Sequence, residues 1–289
     1  VYGAGACAHI MAVVTLLGIA QDGGRPQPGC TRQCCQGLTE EDYRSPVSLG
    51  IQTSGGKTLL VEATRDLGRQ LRMINNPSID HLFITHAHLG HVDGLGLFGR
   101  ETMSARNIQL HCSPSMRALV ESTPAWNQLL QQNVLEFSEF PRVEIDDVIV
   151  EFIQVPHRAE LSDMHATIIR GAEKSLLFLP DHDSWSDTLE AHECESIRAF
   201  LQKFKIDIAL IDGTFWSGGE LKGRDMSVVP HPTVKESLKR LGLRVASDPS
   251  ILFIHLNHTN PLYNTASSEY DQLNKSGWMI GEEGQRFTI

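Results

Sequence analysis

The segment THAHLGH, residues 85–91, constrains the fold more than any other part of the chain. It follows an apolar run, residues 82–84, that we interpret as a buried strand ending at the threonine. His86 and His88 alternate at this strand end, so both side chains can point the same way, and His91 follows three residues later. Histidine is the commonest metal ligand near neutral pH. The spacing therefore predicts a metal-binding strand end, and a chance scatter of thirteen histidines is the weaker explanation.

Composition limits the classes of partner. The chain has 289 residues, of which 41% are hydrophobic, and a formal net charge of −10. That charge argues against nucleic acid as the natural ligand. No apolar run approaches the roughly 20 residues that a membrane helix needs. We therefore expect a small-molecule substrate and neither a nucleic-acid nor a membrane partner, and a homodimer is compatible with the sequence.

Residues 1–10 have no pattern and precede Met11, so we expect them to be a leader, either foreign to the protein or disordered. Residues 11–289 are then expected to form a single domain. Met11–Ala20 is apolar but short and lacks a basic leader, which indicates a first strand and not a signal peptide. Six cysteines without a secretory leader favour a reducing compartment, and we expect a cytoplasmic protein.

Strand and helix patterns alternate along the whole chain. Strands are predicted at Val13–Gly18, Val47–Thr53, Lys57–Glu62, His81–Thr85, Gln109–Cys112, Val148–Val155, Ala166–Arg170, Ser175–Leu179, Ile206–Ile211 and Ile251–Leu256. Helices are predicted at Arg65–Ile74, Ser113–Ser122, Cys194–Phe204 and Pro232–Leu241. Hairpins followed by strand–helix alternation favour an α/β (α+β) fold of two layered mixed sheets covered by helices.

Other predicted strands also end in side chains that can bind metals. His157 follows the strand that closes at Val155, Asp181 follows the strand that closes at Leu179, and His255 ends a third. Sites are usually built on loops at sheet ends. Each residue alone is a weak signal, and the sequence leaves open which side chain in the run 181–183 points inward. The set as a whole predicts a site where these strand ends meet.

Three cysteines form a second candidate site. Cys30, Cys34 and Cys35 lie in a segment rich in glycine and proline that has no helix or strand pattern. A zinc ion would order this loop if a fourth ligand arrives from elsewhere. The alternative is a flexible loop with exposed thiols.

The segment THAHLGHVDGL, with His157, Asp181 and His255 in that order, resembles the metallo-β-lactamase superfamily. The segments QDGGRPQPGC, LIDGTFW and FIHLNHTNP resemble the pyrroloquinoline-quinone biosynthesis protein B group. The cysteine loop and two C-terminal histidines are also similar to the phosphodiesterase of the carbon–phosphorus lyase pathway. The resemblance implies an αββα sandwich with its site at one edge of the paired sheets.

The same resemblance implies roles for individual residues. The first metal position would be held by His86, His88 and His157, the second by His91 and His255, and Asp181 would bridge them. In the phosphodiesterase branch a three-cysteine loop and a later histidine hold a structural zinc, which here implies Cys30, Cys34, Cys35 and His258.

Position 90 departs from the superfamily pattern. The superfamily usually has Asp there as a ligand of the second metal, whereas this chain has Gly90. Asp93 is close in sequence but one helical turn further on. We therefore expect one or two zinc ions in the active site, with the second position weakened, and one structural zinc. The nitrogen and oxygen ligands would also suit iron or manganese.

The leading hypothesis is metal-assisted hydrolysis of a phosphodiester or a related small ester or lactone. Asp181 would anchor the metal and the attacking water, and His231, by analogy with the phosphodiesterase branch, would protonate the leaving group. Asp212 would orient a ligand histidine. Two alternatives stay open: an iron-dependent oxygenase of the quinone-biosynthesis type, and a metal-holding protein without catalysis.

Overall fold

Two mixed sheets form the centre of the molecule. The structure is a computed structural model that describes residues 11–221 and 229–289. The first sheet contains β1 (Val13–Gly18), β2 (Ser48–Gln52), β3 (Thr58–Val61), β4 (His81–Phe83), β5 (Ile108–His111), β6 (Leu135–Phe137) and β14 (Arg286–Thr288). Its strand order is β14-β1-β2-β3-β4-β5-β6. The sheet is antiparallel from β14 to β3 and parallel from β3 to β6.

The second sheet also contains seven strands, and it too combines parallel and antiparallel neighbours. It contains β7 (Arg142–Ile145), β8 (Val148–Gln154), β9 (His165–Arg170), β10 (Ser175–Leu179), β11 (Ile208–Asp212), β12 (Ser250–Ile254) and β13 (Met279–Ile280). The order is β13-β12-β11-β10-β9-β8-β7. Here β10, β11, β12 and β13 run parallel, whereas β7, β8, β9 and β10 are antiparallel neighbours.

Helices flank the sheets. They are α1 (Leu67–Met73), α2 (Leu89–Val92), α3 (Pro114–Ser122), α4 (Pro124–Gln131), α5 (Trp185–Ala191), α6 (Ile197–Lys203), α7 (Val234–Leu241) and α8 (Ser268–Lys275). Ser184, Ser196 and Thr233 each cap a helix by accepting a backbone N–H with the side-chain oxygen. In the part of the chain that the structure describes, no helix combines the length and apolar content that crossing a bilayer requires.

The alternation of side chains along β4 shows how the layers form. Phe83 belongs to the core between the two sheets, where it packs with Phe152 of β8 at a ring distance of 6.0 Å. Leu82 and Ile84 point the other way, into the core that the first sheet shares with its helices. One strand therefore contributes to two apolar layers, and the predicted sandwich of two sheets flanked by helices is confirmed.

The structure differs from the sequence-based expectation in a few segments. The strand predicted to end at Thr85 ends at Phe83, and the histidine segment behind it continues into the short helix α2. Residues 122–133 gave no helical signal but contain α4, which begins at a proline. The predicted leader, residues 1–10, lies outside the described residues, and the single-domain organisation of residues 11–289 stays a prediction.

A buried hydrogen bond between two helices gives a test of the packing. Trp185 Nε1 on α5 donates to Ser237 Oγ on α7 over 2.7 Å, and both side chains are fully buried. Ser237→Ala leaves the indole N–H without an acceptor, so we expect the free energy of unfolding to fall by about 1–3 kcal/mol. Urea denaturation measures the loss.

The matched control repeats this substitution in a Trp185→Phe background, where the donor is already absent. There Ser237→Ala should have a much smaller effect, because the two residues are directly coupled. Equal losses in both backgrounds would contradict the assigned bond.

Candidate metal centre

Asp181 lies at the point where the strand ends meet. It follows β10, and its carboxylate is only 2% exposed. Five histidine side chains surround it, with closest ring-nitrogen distances to the carboxylate of 3.1 Å for His91, 3.5 Å for His255, 3.7 Å for His231, 3.8 Å for His157 and 3.9 Å for His86. The parallel strands of each sheet bring these residues together because their carboxyl ends lie at one edge.

One set of possible ligands consists of His86, His88 and His157, whose ligand atoms lie within 4.8 Å of one another. Nε2 of His86 and of His157 are buried and have no hydrogen-bond partner among the described residues. Buried polar nitrogens are seldom left unpaired in folded proteins. Nε2 of His88 faces Glu160 at 3.5 Å, which leaves its Nδ1 for a ligand role. The arrangement fits a cation held by three imidazoles.

A buried carboxylate that the sequence did not predict orients two of the histidines. Glu62 follows β3, is fully buried, and accepts the hydroxyl proton of Thr85 over 2.5 Å. Thr85 in turn accepts from Nδ1 of His86 at 2.9 Å, and Nδ1 of His91 lies 3.3 Å from Glu62. A proton on Nδ1 of His86 directs its Nε2 toward the centre, and the nearby carboxylate of Glu62 favours a proton on Nδ1 of His91.

The residues after Asp181 have separate roles, which answers the question that the sequence left open. Asp183 accepts from Nδ1 of His157 at 3.0 Å and so fixes the ring that approaches Asp181. His182 points away, where its Nδ1 contacts the hydroxyl of Thr188 at 2.7 Å and its ring meets Trp185 edge-on. Only the first of the three consecutive polar residues therefore enters the centre.

Asp212, which ends β11, orients the remaining histidines. Its Oδ1 accepts the hydroxyl proton of Thr214 at 2.7 Å, and Thr214 accepts from Nδ1 of His255 at 2.8 Å. Its Oδ2 lies 2.8 Å from Nδ1 of His231. The contacts of Asp212 thus reach His255 through Thr214 and reach His231 directly. Thr214 was missed, although it follows a strand end as the histidines do.

Burial and charge divide the histidines into two groups. Burial lowers the pKa of His86, His157 and His255, which favours the neutral form that binds metals. Burial also opposes a charge on His91 and His231, but carboxylates outweigh it: Glu62 and Asp181 raise the pKa of His91, and Asp212 raises that of His231.

Asp181 keeps its charge in this environment. Burial opposes its ionisation, yet His255 and His91 lower its pKa well below the usual range for a carboxyl. An ionised, buried carboxylate surrounded by imidazole nitrogens is the donor set that zinc and similar divalent metals prefer. The residues therefore fit a metal centre.

A second set of possible ligands consists of Asp22, His91 and His255, again within 4.8 Å of one another. Nε2 of His255 is buried and unpaired within the described part of the chain. Asp22 was not predicted as a site residue; its Oδ1 lies 3.6 Å from Nε2 of His91. Asp93 belongs to neither set of possible ligands and instead pairs with Arg65 at 2.6 Å.

The structure also brings the predicted cysteine cluster together. Cys30, Cys34, Cys35 and His258 form a group with ligand atoms within 4.8 Å. His258 Nδ1 lies 3.2 Å from the sulfur of Cys35 and 3.5 Å from that of Cys34. Burial and the neighbouring sulfur of Cys30 raise the pKa of Cys34 to about 11, so this thiol does not favour the thiolate without a cation. The chemistry fits a tetrahedral zinc site.

A cavity of about 840 Å³ opens beside the metal centre and is bounded in part by Asp22. Two guanidinium groups, those of Arg32 and Arg158, line it. Nε of Arg158 is buried and lacks a hydrogen-bond partner in the described residues. Glu220 also lines the cavity, and burial raises its pKa to about 7. The cavity therefore presents two arginines together with the carboxyl groups of Asp22 and Glu220.

Two backbone conformations at the site are costly for side chains other than glycine. Glu62 has φ of 68° and His255 has φ of 60°, both in the left-handed region. Such residues cost on the order of 1–3 kcal/mol each and cluster at functional sites. At both positions the chain turns sharply after a strand. These turns place the carboxylate of Glu62 and the imidazole of His255 against the centre.

Comparison with known families agrees with this geometry. A family model described as beta-lactamase superfamily domain matches residues 57–256. The match covers the segments that carry every histidine of the centre and excludes the cysteine loop and Asp22.

Individual relatives point to two groups. Coenzyme PQQ synthesis protein B of Acinetobacter baumannii is 23% identical over 312 residues, covering 96% of this chain and 99% of that protein. The crystal structure of Zn(2+)-bound PqqB from Methylobacterium extorquens has a TM-score of 0.72 at 19% identity, covering 96% of this chain and 100% of the other. A diphosphatase from the PhnP family has a TM-score of 0.67 at 18% identity, covering 96% and 97%. The two structural similarities show the shared fold.

Glu62 provides a test of the centre that leaves every proposed ligand in place. Glu62→Gln keeps the shape of the side chain but removes the negative charge. That charge favours a proton on Nδ1 of His86, through Thr85, and on Nδ1 of His91. We expect zinc affinity to fall about 10- to 100-fold, as for other residues that orient metal ligands. Competition with a chromogenic chelator measures it.

The control is Glu136→Gln, which changes an exposed carboxylate on β6 that accepts from Gln109 and belongs to none of the ligand groups. Its zinc affinity should match that of the unmodified protein. If Glu62→Gln also matches, the orienting role of Glu62 is wrong.

Proposed function

The chain belongs to the beta-lactamase superfamily, and on that premise we propose that it is a metal-dependent hydrolase of a small phosphodiester or diphosphate. The observation that carries the substrate class is the unpaired, buried Nε of Arg158 beside His157. A guanidinium next to a metal centre matches a phosphoryl group in charge and geometry. The diphosphatase among the proteins of similar fold supports the same class.

The proposed ligands of the first metal are His86, His88 and His157, with Asp181 as the shared carboxylate. When bound, a divalent metal supplies Lewis acidity and lowers the pKa of water to about 7. Asp181 holds this position rigidly because it is buried among five histidines. Glu62, Asp183 and Asp212 keep the ligand rings in the tautomers that leave one nitrogen free.

His231 is the proposed acid for the leaving group. Asp212 holds its Nδ1 at 2.8 Å, so the other ring nitrogen is free to donate a proton. The ring lies 5.5 Å from that of His157 and 5.7 Å from that of His255, between the two ends of the centre. A group placed there could protonate the oxygen that departs from a phosphorus atom bound at this centre.

Arg158 and Arg32 are the proposed anion-binding groups. Arg158 directly follows the ligand His157, and its side chain lines the cavity. Its ion pair with Glu160 is long, at 3.9 Å, so the guanidinium is not saturated by the protein. Arg32 approaches from the cysteine loop. The two arginines would position a negatively charged substrate and orient its scissile bond.

We also propose that Cys30, Cys34, Cys35 and His258 hold a structural zinc. The loop that carries the cysteines has little regular structure of its own, and the four ligand atoms already converge. His258 lies three residues after His255, so this zinc would stabilise the segment that supplies a ligand to the active centre.

A second candidate function is supported by the PQQ synthesis protein B relatives, which span nearly the whole chain. The sequence left open an iron-dependent oxygenase of the quinone-biosynthesis type, and iron tolerates the same nitrogen and oxygen ligands. Metal analysis of protein purified without added metal, combined with an oxygen electrode, separates the two candidates. Iron with oxygen consumption would favour the oxygenase, and zinc or manganese with phosphodiester turnover would favour the hydrolase.

The hydrolase is tested with zinc-loaded protein and bis(4-nitrophenyl) phosphate, an alkyl diphosphate, a lactone and a β-lactam. We expect turnover of the phosphorus substrates, because the cavity presents arginines to an anion. His86→Ala should abolish it, and Arg158→Ala should lower kcat/KM about 10-fold or more through loss of a charged hydrogen bond.

Arg240→Ala is the control for the arginine, since Arg240 is on α7 and pairs with Glu236 at 3.0 Å. Its kinetics should equal those of the unmodified enzyme. Turnover of the lactone or β-lactam without turnover of a phosphorus substrate would overturn the proposed substrate class. Full zinc occupancy without any turnover would overturn the hydrolase.

The structural zinc has its own test. Cys35→Ser should remove one zinc per chain and lower Tm, because the loop loses the cation that organises it. Cys194→Ser is the matched control, since that thiol donates to the backbone carbonyl of His192 and belongs to no group of possible metal ligands. Unchanged zinc content and unchanged Tm in Cys35→Ser would refute the structural site.

A further inference from the structure

Position 90 carries no side chain, yet the space beside it is filled. Gly90 is buried in α2. A Cβ atom there would lie 2.2 Å from Oδ1 and 2.4 Å from Cα of Asp22. Both distances are shorter than any real contact of a Cβ atom, so glycine is required at this position. The carboxylate of Asp22 therefore lies where a side chain from residue 90 would begin.

The carboxylate of Asp22 also faces the metal centre. Its Oδ1 lies 3.6 Å from Nε2 of His91, and it forms a common group with His91 and His255. The side chain is 44% exposed and borders the cavity, so it is accessible to ions and substrate. The buried Nε2 of His255 points into the same group without a partner in the residues described.

Backbone hydrogen bonds fix Asp22 relative to His255. The amide of Gln21 donates to the carbonyl of Leu256 at 2.9 Å, and the amide of Leu256 donates to the carbonyl of Ile19 at 2.8 Å. Gly24, with φ of 70°, closes the turn by donating to the carbonyl of Gln21 at 2.7 Å. The turn that carries Asp22 is thus bonded to the segment that carries His255.

From this geometry we infer that Asp22 is a ligand of a second metal ion, together with His91, His255 and Asp181. The carboxylate that residue 90 lacks is supplied from the loop after β1, so the ligand number and negative charge of the second position are retained. The second position is then not weakened by Gly90, contrary to the expectation from sequence. This inference rests on the metal centre of the proposed function but not on its reaction.

The experiment counts metals and measures their affinity. Unmodified protein, Asp22→Ala, Asp22→Asn and Asp93→Asn are loaded with zinc, dialysed and analysed by mass spectrometry for zinc per chain, and zinc affinity is measured by calorimetry. We expect three zinc ions in the unmodified protein, one of them in the cysteine cluster. Asp22→Ala should lose one ion or bind it at least about 10-fold more weakly, and Asp22→Asn should be affected less.

Asp93→Asn is the matched control because Asp93 lies at the end of the same helix but pairs with Arg65 and belongs to none of the ligand groups. It should retain all three ions. A separate variant, Gly90→Asp, should lose the second ion and not strengthen it, because the new Cβ clashes with the backbone of residue 22. Circular dichroism of the metal-free variants verifies that each is folded.

The outcomes separate this inference from the proposed function. Three ions in Asp22→Ala at unchanged affinity would overturn the role of Asp22 whatever the enzyme hydrolyses. Loss of one ion in Asp22→Ala would support it even if no phosphodiester is turned over. Unmodified protein with a single ion in the active centre would overturn the second site and leave a one-metal hydrolase.

Discussion

The burial of the Asp181 carboxylate is the constraint on which the rest of the site depends. An ionised carboxyl removed from water is costly unless positive or proton-donating groups surround it. Five imidazoles lie within 4 Å of Asp181, and they come from segments spread between residues 86 and 255. Only the edge where the parallel strands of two packed sheets end brings these segments together. The fold therefore determines the site, because the two packed sheets position the imidazoles that compensate the buried charge.

The layer behind the ligands decides which ring nitrogen each histidine offers. Carboxylates reach His86 and His255 through the hydroxyls of Thr85 and Thr214, and they reach His157 and His91 directly. A hydroxyl can accept from the imidazole while it donates to the carboxylate, so each relay has one defined direction. Placing these groups requires an unfavourable left-handed backbone conformation at Glu62 and at His255. In the proposed function, substrate specificity would lie in the cavity that Arg158 and Arg32 line.

Much of this could be predicted from the sequence, because apolar runs mark strands and polar residues behind them mark the edge of a sheet. His86, His88, His157, Asp181 and His255 were all found in this way, and the two-sheet architecture followed from hairpins and alternation. Glu62 was missed because a single carboxylate after a strand has no spacing signal. Asp22 was missed because it lies 68 positions before Gly90 in the sequence. Only the three-dimensional structure shows that Asp22 occupies the space that a side chain at position 90 would need. The helices α4, α5 and α8 were also missed, although α4 begins at a proline that follows a threonine.

His255 and His258 serve different centres from one short piece of chain. Leu256 between them bonds Ile19 and Gln21, and Asn257 bonds Thr214, so the connecting backbone is held on both sides. An insertion or deletion of a single residue here would rotate one imidazole away from its group of possible ligands and also break the link to the turn at Asp22. The number of residues in this stretch is therefore expected to stay constant among homologues even where their identities drift.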